Sequence, residues 1–143
     1  MNQYKELKNK HEKEINNFPL MFAFSKEQFK KGMEKLGLNE SDTDKILSIG
    51  AGGYMRKTDE KAFDDMIAKH DSKRKEAINN DLDSTGFILD MFHYELNNHE
   101  YGYTWDTSDT LDALGYTREE IKADPKLLKG LNLAIKKCNE QEW

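Results

Sequence analysis

The chain has 143 residues, a net charge of -5, 34% charged and 36% hydrophobic residues, and a single cysteine. It is long enough to bury a core by itself, and its supply of Phe, Tyr, Trp and Met excludes a disordered chain. One cysteine excludes an internal disulfide, no apolar run approaches the roughly 18 residues of a membrane span, and the Lys/Glu-rich start lacks a secretory signal; a single cytoplasmic domain over residues 1–143, without membrane contact, is expected.

Residues 3–18 predict an amphipathic helix, with Tyr4, Leu7, His11, Ile15 and Phe18 at three- and four-residue steps, redirected by Pro19. The apolar run at residues 20–24 predicts a buried strand. Ser25 and Gln28 form a capping-box pattern that opens a helix to about Leu36, with Gly37 as its stop. After a polar loop, residues 45–50 and 54–57 predict a hairpin turned by residues 51–53. Thr58 caps a long helix to about Asn80, carrying Phe63, Met66, Ile67, His70 and Ile78, with a polar middle at residues 71–76. Residues 87–98 predict a further helix that buries Phe87, Ile88, Met91, Phe92 and Leu96. Residues 101–105 read as extended, and a short helix capped by Thr107 or Ser108 ends near Gly115. Thr117 with Glu120 is a second capping box, and Asp124-Pro125 starts the last helix, to about Cys138. The fold class is α+β: mainly helical, with a small antiparallel sheet of about three strands.

Charge is unevenly spread. Residues 81–124 carry 2 basic and 11 acidic side chains, a net of -9, whereas residues 1–80 and 125–143 each stand at +2. Such a segment repels nucleic-acid phosphates and attracts a basic protein surface, so no direct nucleic-acid contact is expected of the protein. The plainer reading is an acid-rich solvated helix with its loops. Within the segment Tyr101, Tyr103 and Trp105 alternate, so an extended backbone turns them to one side. With Tyr94 they would form an aromatic patch rimmed by Glu100, Asp106, Asp109 and Asp112, the composition of a protein-binding hot spot; burial in the core is the alternative. Trp143 is a further candidate anchor.

Three patterns raise other chemistry. Residues 81–86 match a calcium loop through Asp81, Asp83, Thr85 and Gly86, but Phe92 stands where such loops place a carboxylate at position 12; a turn that caps the next helix explains the same residues. His93, Glu95 and His99 are zinc-type ligands. Helical spacing pairs Glu95 with His99 and turns His93 elsewhere, so a site would need His70, His11 or Cys138. Residues 50–53 resemble a phosphate loop, yet they open a strand and not a helix, which reads as a turn. Cys138 follows Lys136 and Lys137, which would lower its pKa, but no partner histidine is placed for a nucleophilic role, and no catalytic residues are assigned.

Over residues 18–25, 48–57, 99–101 and 110–115 the chain resembles a family of uncharacterised small proteins carried by phages and integrative elements of Gram-positive bacteria. The resemblance implies an accessory protein that acts by binding a host protein. By analogy with anti-CRISPR proteins of similar size and acidity, the partner would be a nucleic-acid enzyme such as a CRISPR effector. The expectation is a non-enzymatic, acidic protein-binding inhibitor without a cofactor. The alternative is a zinc- or calcium-binding protein, or a metal-dependent hydrolase, using His93, Glu95 and His99.

Overall fold

The computed structural model describes residues 2–140, apart from the side chains of Gly102 and Tyr103, and its architecture is α+β. The elements in order are α1 (Gln3–Asn16), β1 (Leu20–Phe22), α2 (Lys26–Lys35), β2 (Ile46–Gly50), β3 (Gly53–Arg56), α3 (Glu60–Asn80), α4 (Phe87–Asn98), α5 (Tyr101–Thr104), α6 (Ser108–Leu114), α7 (Arg118–Ala123) and α8 (Pro125–Asn139). Contacts sort the chain into two compact units, one spanning His11–Ser72 and the other built from the residues before His11 with those from Lys73 onward. Among the described residues no helix is long and apolar enough to cross a membrane.

In the His11–Ser72 unit an antiparallel sheet of order β1-β3-β2 places Leu20 opposite Met55 and Ile46 opposite Arg56. The hairpin turn needs left-handed backbone at Gly50, Ala51 and Gly52, and two of those three residues are glycine, which adopts it without steric cost. Met33 and Leu36 of α2 bury against Met21, with the Phe29 ring edge-on to Tyr54 at 5.8 Å. Arg56 ties the hairpin down: its Nε donates to Asp59 at 2.7 Å and its Nη1 to the Leu36 carbonyl at 3.3 Å. Where α1 meets α3 in this unit, the rings of His11 and His70 stack at 3.9 Å, and His70 Nε2 lies 2.8 Å from Glu14.

Two local expectations change here. The buried strand predicted over residues 20–24 ends at Phe22; Leu20 and Met21 are buried, but Phe22 and Phe24 are 54% and 77% exposed. The Ser25–Gln28 box closes on one side only. Ser25 Oγ accepts from the Gln28 amide, while the Gln28 side chain accepts from Phe24 and not from the cap residue.

In the other unit α4 is the central element, its Phe87, Ile88, Met91, Phe92 and Leu96 all buried. α8 lies against it at Gly130, where an added Cβ would strike Ile88 Cγ2. Leu127, Leu131, Ala134 and Cys138 of α8, Leu111 and Leu114 of α6 and Ile121 of α7 complete this core. The ends of the short helices fall where their caps put them. Thr117 and Glu120 make both bonds of the capping box, Asp124 accepts from the Lys126 and Leu127 amides, and Gly115 closes α6 in left-handed backbone. The extended segment expected over residues 101–105 is instead the single helical turn α5. Tyr101 is drawn into the core, and a hydrogen bond from the Trp105 amide to the Tyr101 carbonyl at 2.8 Å closes the turn.

Candidate protein-docking site

The outward surface of residues 100–120 is built on a strained frame. Glu100 and Trp105, on either side of α5, adopt left-handed backbone with φ of 58° and 59°. For residues with a Cβ this costs about 1 kcal/mol each, and such outliers persist where the surrounding structure holds them. The inward anchors are Tyr101 on one side and Thr110, Leu111 and Leu114 on the other, with Thr110 Oγ1 donating to the Glu95 carbonyl at 3.3 Å. Between them Trp105 stands 71% exposed.

Exposed carboxylates flank it in the sequence. The Asp106 amide donates to Thr104 Oγ1, and Asp106 Oδ1 accepts from the Ser108 amide at 2.9 Å. Asp106 therefore does the capping expected of Thr107 or Ser108; the Thr107 side chain makes no such bond. Hydrogen bonds from Ser108 hold the Asp106 carboxyl below the usual range, so it is charged at neutral pH. Asp109 and Asp112, three residues apart on α6, are exposed on the side away from Leu111 and Leu114. Glu100, Glu119 and Glu120 are exposed too. Trp105, Glu100, Asp106, Asp109 and Asp112 are thus surface groups, whereas Tyr101 is core. Tyr94 is engaged elsewhere: its ring lies 5.7 Å from that of Tyr4 and 5.3 Å from Lys8 Nζ. The Tyr103 side chain and Trp143 lie outside the described residues.

The zinc-type trio divides as helical spacing implies. Glu95 and His99 share one face with a closest separation of 3.5 Å, while His93 Nε2 lies 3.3 Å from Asn97. Glu95 is 3% exposed, and its other oxygen meets Lys8 Nζ at 3.3 Å. His99 Nε2 is buried and lacks a hydrogen bond of good geometry. His70 and His11 lie in the His11–Ser72 unit, where they stack on each other. Cys138 is buried with its Sγ 3.7 Å from Asn97 Oδ1. Among the described residues no group of three or more His, Cys, Asp or Glu side chains is placed to hold a metal. The expectation that lysines lower the Cys138 pKa is reversed: burial pushes the thiol up and outweighs Lys137.

The calcium-loop residues are used as a joint between helices. Asp81 accepts from the Ile88 amide at 2.8 Å and the Gly86 amide at 3.3 Å, satisfying the start of α4. Asp83 accepts from the Thr85 amide and hydroxyl, which lowers its pKa. Ser84, buried and left-handed, donates to the Lys126 carbonyl at 2.8 Å, and Lys126 Nζ donates to the Ile78 and Asn79 carbonyls that end α3. Phe92, in the position of the missing carboxylate, is fully buried. Residues 50–53 form the hairpin turn, with β3 and not a helix after them.

Near the buried Glu95, Tyr4 offers a measurable consequence. Burial first, and the Glu95 charge second, push its phenol well above the ordinary value of 10.0. The folded state then keeps that proton to higher pH than the unfolded chain does. Its contribution to stability is complete below pH 10 and is lost as pH rises through the folded value. Denaturant unfolding at graded pH should show an alkaline decline that is shallower in Tyr4→Phe; identical slopes in both proteins would refute this assignment.

Searches of curated proteins and of solved structures return no match to the chain. Comparison with protein families matches residues 3–137, nearly the full length, and the chain therefore belongs to the family of unknown function DUF7659.

Proposed function

We propose that this protein is a non-enzymatic docking module whose acidic surface over residues 100–120 binds a basic surface on another protein. The observation that carries the reading is Trp105, a large apolar side chain 71% exposed on left-handed backbone, in a segment whose Asp106, Asp109 and Asp112 are exposed as well. Tryptophan in water beside a polar rim is the composition of an interface anchor, and the rim supplies long-range attraction. The partner class that matches is a nucleic-acid enzyme of a host cell, with a basic channel for phosphates. Occupying that channel would make the protein an inhibitor, of the anti-CRISPR kind, in keeping with a phage or mobile-element origin and a cytoplasmic location.

Affinity capture from host lysate tests this, with wild-type protein beside an Asp106→Lys/Asp109→Lys/Asp112→Lys variant as bait. A basic nucleic-acid enzyme retained by wild type and lost by the variant is the expected result. A set of retained proteins that is the same for both baits contradicts the proposal.

A further inference from the structure

The acidic surface leaves the His11–Ser72 unit unexplained, and that unit carries a patch of opposite character. Phe22 and Phe24, two residues apart at the end of β1, expose 54% and 77% of their surface. Their rings lie close over the hairpin backbone. A Cβ at Gly52 would lie 2.5 Å from the Phe24 ring, and one at Gly53 would lie 2.7 Å from the Phe22 ring. Gly53 has no left-handed φ to explain it; the Phe22 ring and the Ile49 side chain, 2.8 Å from where a Cβ would stand, together leave no room for a side chain. Beside the rings runs a groove of about 410 Å³ lined by Lys31 and Lys35 of α2 and by no acidic residue. The ion pair of Lys31 with Glu27 at 3.4 Å is exposed on both sides and therefore weak.

We propose that Phe22, Phe24, Lys31 and Lys35 form a binding site for a short stretch of single-stranded nucleic acid. Stacking needs an exposed ring face and no deep pocket, and such sites join aromatic platforms to a basic groove that follows the phosphates. Lysines four apart on a helix are separated by about 6 Å, so two ammonium groups can take neighbouring phosphates while the exposed rings stack on bases. The unit as a whole carries 10 basic and 12 acidic residues. Attraction must therefore come from the two lysines, and the affinity is modest and salt-sensitive. The expectation of no nucleic-acid contact came from residues 81–124, which belong to the other unit.

Fluorescence polarisation with the full chain and a labelled oligothymidylate of about eight nucleotides, at about 50 mM salt, tests the site. Saturable binding is expected, with a log-log salt slope of about -1.4 for two phosphate contacts on a single strand. Phe24→Ala should weaken it roughly ten-fold or more, and Lys31→Glu/Lys35→Glu should abolish it. Trp105→Ala should leave it unchanged, which keeps this result independent of the acidic surface. Phe24 is exposed, so its variant should unfold at the wild-type midpoint. Absence of saturable binding, equal binding by Phe24→Ala, or binding of a labelled acidic peptide in place of the oligonucleotide would overturn the proposal.

Discussion

Replacing Trp105 with alanine is expected to weaken binding of the basic partner by about 2 kcal/mol or more, roughly thirty-fold in Kd, and to leave the fold intact. The two halves of that expectation have different causes. Tryptophan removed from the centre of an interface loses a large desolvated contact area and exposes whatever it covered on the partner. In the free protein the ring is 71% exposed, so the core has little to lose. Trp105→Gly sharpens the point, because glycine adopts the φ of 59° without steric cost. That variant should unfold at or above the wild-type midpoint while binding as poorly as Trp105→Ala. Calorimetric titration and thermal unfolding of the same preparations separate the effects. A fall in stability without a fall in affinity would make Trp105 a structural residue.

Lys8→Met should cost about 2–3 kcal/mol of stability, the largest effect expected of any single surface-reaching side chain here. Glu95 is 3% exposed, and Lys8 Nζ sits 3.3 Å from one of its oxygens. Removing the ammonium group leaves a buried carboxylate without its cation. Such a break in a fully buried pair costs 3–5 kcal/mol, reduced here because the Lys8 side chain is 34% exposed and partly screened. Glu95→Gln should recover most of the loss in the Lys8→Met background, since the charge that required the partner is gone. Denaturant unfolding of the four proteins in the cycle measures the coupling. Additive effects would mean that Glu95 is not held by Lys8 and would return it to the pool of candidate metal ligands.

What could be read from the sequence follows the range of the interactions involved. Caps are local, so Thr117 with Glu120, Asp124 with Pro125, and Gly115 placed the ends of α6, α7 and α8 before any coordinates did. Helical periodicity is local as well, and it divided His93 from Glu95 and His99 as the structure does. The segment around Tyr101 was misread because alternation of Tyr101, Tyr103 and Trp105 fits an extended chain and says nothing about left-handed backbone at Glu100 and Trp105. That backbone is imposed by burial of Tyr101 among residues distant in sequence. Phe22 and Phe24 failed for a related reason. An apolar run of five residues does not reveal which of them the neighbouring elements cover, and here Leu20, Met21 and in part Ala23 are covered while Phe22 and Phe24 are not. Lys8 as the partner of Glu95 spans 87 positions, and no local pattern signals it.

The association rate of the purified partner, followed by stopped flow across a salt series, tests most directly whether the carboxylates around Trp105 guide docking. Wild-type protein should associate fastest at low salt and slow steeply as salt screens the field. The Asp106→Lys/Asp109→Lys/Asp112→Lys variant should associate at least ten-fold more slowly at low salt, with a nearly flat salt dependence. Equal rates and equal salt dependence for the two proteins would contradict the account.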